Sequence, residues 1–152
     1  PIEFVVRNVA SGSICSRLGI KDGLKLKKPL LEYYLKEDSL DDPIVSRDHL
    51  EQFGWATKKE IEKIDRMSLK INHCLINHFK KKGITLVDFK IEFGRLSSNK
   101  KKIVLADEIS PDSCRLWDSK SKTKLDKDVF RKGIGNLIDA YEEVASRLGI
   151  VH

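Results

Sequence analysis

Residues 84–93, ITLVDFKIEF, constrain the fold of this chain more than any other stretch. Side chains alternate faces along a β-strand, so Asp88, Lys90 and Glu92 fall on one side and Val87, Phe89, Ile91 and Phe93 on the other. Such a strand asks for a core behind one face and tolerates water or ligand on the other. A second run, 103–109 (IVLADEI), follows the polar stretch 94–102, and the two are expected to pair as a hairpin. Residues 2–8 (IEFVVRN) and 30–36 read as further strands. Between them, 10–13 (ASGS) is a small-residue turn that lets a ligand approach the backbone, and 18–28 reads as a loop.

Two long helices accompany these strands. Thr57 and Glu60 have capping-box spacing, and Ile61, Ile64, Ile71, Leu75 and Phe79 follow as an apolar stripe, with Met67 or Ser68 between them. Lysines 80–82 suit the negative end of the helix dipole, and Gly83 supplies the stop. His73 and His78 read as polar-face residues. The second helix is expected over 127–148, capped by Asp126 and ended by Gly149. Its stripe is Ile134, Leu137, Ile138, Tyr141, Val144, Ala145 and Leu148, with Gly133 and Gly135 weakening its first turns. A short helix over 46–52 with Ser46 as cap follows the acidic turn 37–43. Together these argue for one α+β domain over 1–152, an antiparallel or mixed sheet packed against long helices.

Composition narrows the function classes. The 152 residues are 40% apolar and 34% charged, which fits a folded domain. No apolar run approaches the roughly eighteen residues of a membrane span. Cys15, Cys74 and Cys114 are too few and too scattered for a disulfide framework or a zinc site, and read as free thiols of a reducing cytoplasm. The net charge of +6 raises a nucleic-acid-binding domain as one reading. Its lysines are dispersed and not interleaved with aromatics, which argues against a base-stacking platform. The opening at Pro1, directly before an apolar run, suggests a domain cut from something longer.

On pattern alone, the charged face of 84–93 is most simply the wet side of a peripheral sheet. The same acid–base–acid order also suits a phosphate and its metal, because hard cations take carboxylate oxygens and an ammonium neutralises phosphoryl charge. Asp107, near the end of the expected partner strand, strengthens that reading. Downstream, the polar loop 110–118 carries Asp112, Arg115 and a buried Trp117.

Four segments, VVRNVASGS (5–13), LVDFKIEFG (86–94), LADEISPDSCRLWD (105–118) and DKDVFR (126–131), together resemble SAICAR synthetase. The middle two are highly specific as an ordered pair. The likeness runs the whole length, through Asp42-Pro43 and Phe53-Gly54-Trp55. It implies the larger, C-terminal part of a two-lobed, ATP-grasp-like ligase whose N-terminal, nucleotide-covering lobe is not in this chain, so that these residues alone would be inactive. The family joins L-aspartate to carboxyaminoimidazole ribotide (CAIR) in purine biosynthesis, using ATP and Mg2+ through an acyl phosphate. By position, Glu92 and Asp107 look like the ATP-site metal carboxylates, and Lys90 like the phosphate-reaching lysine with Asp88 beside it. Arg7 and Ser13 look like substrate contacts. Arg115 resembles a contact to the ribotide phosphate, and Asp42 an acid near the imidazole carboxylate, through a second Mg2+. Asp112, Lys127 and Arg131 fall where the family lines its substrate pocket, Asp112 with Lys90 among the catalytic candidates. The resemblance further implies a cytoplasmic homodimer acting on small molecules, with no nucleic-acid or membrane partner. Another ATP-dependent ligase or kinase of similar architecture stands as the alternative.

Overall fold

The computed structural model describes residues 1–150. Six strands form one wholly antiparallel sheet: β1 (Ile2–Val9), β2 (Lys25–Leu35), β3 (Ile44–Val45), β4 (Ile84–Leu96), β5 (Asn99–Asp107) and β6 (Cys114–Asp118). The order is β3-β2-β1-β4-β5, and β6 also pairs with β4. The long β4 therefore has β1 on one side and two partners end to end on the other. Its first half, from Ile84 to Phe89, runs along β6, and its second half, from Glu92 to Leu96, along β5. Between the two partners the backbone of Lys90 donates to the Ser113 carbonyl at 3.0 Å.

Helix α3 (Lys58–Lys80) covers one sheet face, with Ile61, Ile64 and Phe79 buried against Phe4, Val6, Phe89 and Ile91. Helix α5 (Leu137–Leu148) adds Val144 to the same core. Phe4 meets Tyr33 and Phe93 edge to face, at centroid distances of 5.7 and 5.4 Å. Polar pins fix α3 over the strands. Asn72 and Asn8 exchange amide hydrogen bonds of 2.8 and 2.9 Å, and the Tyr33 hydroxyl donates to Asp65 at 2.9 Å. Arg47 of α2 (Arg47–Gln52) pairs with the same Asp65. Ser46 caps α2 as expected, and the Thr57–Glu60 capping box forms in full.

Arg95 of β4 holds the Glu60 carboxylate at 2.6 Å, and with Thr57 it lowers that carboxyl to about 2. The folded value lies below the unfolded one, so Glu60 stabilises the fold fully above about pH 4.5 and loses that contribution as pH falls toward 2. Thermal midpoints taken from pH 6 to pH 3 should fall more steeply for the parent than for Glu60→Gln. Parallel curves would show that the cap carries no pH-dependent stability.

The sequence expectations need several corrections. The expected loop at 18–28 holds the end of a helix, α1 (Ser13–Leu18), and the start of β2. The expected turn over 94–102 is strand apart from residues 97–98. The loop at 110–118 contains β6, with Trp117 buried as foreseen. The helix expected over 127–148 is two: α4 (Asp128–Arg131) and α5, which starts at Asn136 as its cap. Gly133 adopts φ +60° between them, a conformation a helix does not contain. Ile134 and Ile138 are accordingly exposed, at 59% and 65%. Finally, Val87 does not join Phe89 in the main core. A bulge between Leu86 and Asp88 turns it to the opposite face, where it packs with Val9 and Trp117.

Candidate ligand-binding face

The sheet face away from α3 is charged, and strand register decides what meets there. Arg7 of β1 lies opposite Asp88 of β4, and Glu3 opposite Glu92. Glu92 in turn lies opposite Asp107 of β5. The two carboxylates inferred for a metal are thus cross-strand partners, and Lys90 shares their side of the sheet two residues before Glu92.

At the other end of this face a chain of alternating charges runs across four strands. Arg17 pairs with Glu32, and Glu32 with Arg7 at 2.7 Å. Arg7 pairs with Asp88 at 2.8 Å, Asp88 with Arg115 at 3.1 Å, and Arg115 with Asp128 at 3.0 Å. Glu32, Arg7, Asp88 and the terminal Asp128 are buried, Arg7 at 2% exposure and Asp88 at 3%, while Arg115 is partly buried. Burial pushes the Asp88 carboxyl up, while Arg115 and Arg7 pull it back. Both Asp88 oxygens are engaged by guanidinium N–H groups, so its contribution is to orient the two arginines.

The arginines differ in what they have left to offer. Arg7 donates from all three nitrogens: to Glu32, to the Ser11 carbonyl and Asp88, and to Ser13 Oγ (3.1 Å) and Tyr34 Oη (3.3 Å). Arg115 uses Nε and Nη1, and its Nη2 lies against Gly12. A Cβ at position 12 would stand 2.4 Å from that nitrogen, and Gly12 has φ +67°. The close approach that the small-residue turn permits is therefore made by Arg115.

This end of the face forms a hollow of about 360 Å3. It gathers Arg7, Ser13, Asp42, Asp88, Lys90, Arg115, Lys127 and Arg131 from the residues the sequence singled out. Burial chiefly, and then the neighbouring Arg131, lower the Lys127 ammonium. Asp42 sits at φ +44° in the acidic turn, where its Oδ1 accepts the Glu37 N–H at 2.9 Å. Three candidates lie outside the hollow. Glu92 and Asp107 stand further along the same face, beyond Lys90, and Asp112 is exposed beside Lys127. Asp42 thus does not join Glu92 and Asp107. Among the described residues no three His, Cys, Asp or Glu side chains gather around one point as a ready-made metal cage. Two paired carboxylates fit instead a hard cation that draws its remaining ligands from phosphate and water.

Sequence reasoning missed Glu32, Tyr34 and Asp128 as shapers of the site. Glu32 and Tyr34 are two residues apart in an apolar strand rich in Leu and Tyr, and their common face is the available signal.

The fold and face together define an α+β domain with a cation-rich hollow beside a pair of carboxylates. The chain belongs to the SAICAR synthetase family, whose profile matches residues 1–148. It is 61% identical to the phosphoribosylaminoimidazole-succinocarboxamide synthase of Pelagibacter ubique, over all of this chain and 59% of that protein. The crystal structure of the synthase from Ehrlichia chaffeensis superposes with a TM-score of 0.96 at 49% identity, over all of this chain and 65% of that one. A structure of SAICAR synthetase in complex with ADP gives 0.92, also at 49% identity, over 97% of this chain and 62% of that one. The chain thus spans about three-fifths of the length of the curated relatives it matches. Among the described residues no helix is long and apolar enough to cross a membrane, and all three cysteines are free.

Proposed function

We propose that residues 1–152 form the C-terminal substrate and nucleotide-binding domain of a two-lobed, ATP-grasp-like ligase that joins CAIR to L-aspartate with ATP, giving SAICAR, ADP and phosphate. The observation that carries this reading is the shared face. A cross-strand carboxylate pair, Glu92 and Asp107, lies next to Lys90 and a cation-rich hollow. The ADP held by a 49% identical relative supports use of a nucleotide. The family resemblance extends the reading to a cytoplasmic homodimer.

A carboxylate resists attack by an amine because its charge repels the nucleophile and oxide leaves poorly. Phosphorylating the CAIR carboxylate gives an acyl phosphate, and the aspartate amine then displaces phosphate. In this scheme the protein positions reactants and neutralises charge. Arg115 holds the ribotide phosphate through Nη2, the nitrogen that Asp88 and Asp128 leave free, as a charge-assisted hydrogen bond. Arg7, locked by Glu32 and Asp88, presents Ser13 to the substrate. Lys90 takes the phosphoryl oxygens, and Lys127 and Arg131 add positive potential to the hollow. Asp112 borders the pocket at Lys127, and Asp42 faces the imidazole carboxylate. Glu92 and Asp107 would hold Mg2+, which neutralises phosphate charge when bound.

CAIR at a hundredfold excess over its Kd should stabilise the chain by about 2.7 kcal/mol, raising its melting temperature by roughly 5–10 °C. Arg115→Met should erase most of that shift. No protection of the parent chain by CAIR would refute the substrate assignment, and equal protection by any nucleoside phosphate would favour another ligase or kinase of similar architecture.

A further inference from the structure

The carboxylates proposed for the cation are not bare. Glu3, Glu92 and Asp107 stand in register across β1, β4 and β5, an arrangement in which like charges directly opposite one another repel. Two lysines relieve it. Lys90 binds Glu3 at 2.7 Å, and Lys36 binds Glu92. Lys36 follows the last residue of β2, where its backbone N–H donates to the Pro1 carbonyl at 2.8 Å. Its position is anchored, then, while its side chain is 47% exposed at the sheet surface. The ammonium feels Glu92, Glu3 and Asp107 together, so it sits among the same carboxylates that a hard cation would seek.

We propose that Lys36 is an exchangeable counter-cation of the Glu92–Asp107 pair, standing in for the divalent cation and expelled from Glu92 when that cation binds. This rests on the reading of Glu92 and Asp107 as cation ligands. With three carboxylates and two ammoniums the row carries one net negative charge. A dication added to that row makes the ammonium redundant. A polyphosphate arriving with the cation then supplies new oxygens within reach of the displaced Lys36, on the same side as Lys90. Lys36 in this scheme positions charge, and Lys90 keeps its own partner, Glu3, until the phosphoryl group arrives.

The test is a Mn2+ titration of the chain followed by electron paramagnetic resonance, with no nucleotide present. Removing the competing ammonium in Lys36→Met should tighten Mn2+ binding about tenfold, since a unit positive charge beside a dication is lost. Lys36→Arg, which keeps the charge, should bind Mn2+ within about twofold of the parent. Glu92→Gln marks loss of the site. An unchanged Mn2+ affinity in Lys36→Met, with Glu92→Gln still abolishing binding, would overturn the proposal and leave the carboxylate site standing. Mn2+ binding that Glu92→Gln does not affect, or no binding by any of the proteins, would remove the carboxylate site and the proposal with it. Lowered thermal stability of Lys36→Met with unaltered Mn2+ affinity would reduce Lys36 to a bridge between strands.

Discussion

Asp88→Ala is expected to destabilise the chain by about 3–5 kcal/mol, the usual consequence of removing one partner from a buried ion pair. Arg7 and Arg115 both lean on this carboxylate, and Arg7 is 2% exposed, so water cannot take over the lost partner. A domain of this size has only about 5–15 kcal/mol in hand, which makes the change a large part of the whole. Urea unfolding followed by tryptophan fluorescence measures it. A loss below about 1 kcal/mol would mean that the arginines find other acceptors and that Asp88 does not organise the face. The effect should far exceed that of Glu60→Gln at neutral pH, whose carboxylate is partly open to solvent and whose partner Arg95 is exposed.

Asp107→Asn should have the opposite profile. Asp107 is exposed at the end of β5, so the fold should hold its stability within about 0.5 kcal/mol. On the proposed function, turnover of the full-length protein should fall by at least about a hundredfold, the scale of losing one preorganised electrostatic group at a reacting phosphate. Steady-state assay with CAIR, aspartate and ATP provides the check. Near-normal turnover would refute the role given to the Glu92–Asp107 pair.

The sheet and its charged face were largely legible from period-two alternation. Asp88, Lys90 and Glu92 do share a side, and Asp107 does meet Glu92 across strands. The failures have identifiable causes. The bulge at Val87 is a one-residue slip decided by the partner strand, and nothing in the local pattern announces it. Strand β6 is five residues long, and its outward-facing Trp117 is buried in a separate small cluster, which blurs inside against outside. Helix α1 has six residues, fewer than two turns, too short for a 3.6-residue stripe to show. Gly133 and Gly135 predict only weak first turns for one helix, while Gly133 in fact divides two helices. At the site, most charged side chains of the specific segments were legible, whereas Asp128 within them and Glu32 and Tyr34 outside them were not.

The alternating row from Arg17 to Asp128 holds three cations and three anions. Because four of its six members each serve two neighbours, a lone charge reversal within it strands two residues at once. Divergence at these positions should therefore proceed by compensated pairs, with strong epistasis between residues as distant in the chain as 32 and 128. Lys127 and Arg131 line the same hollow but stand outside the row, so substitutions there should perturb the scaffold least.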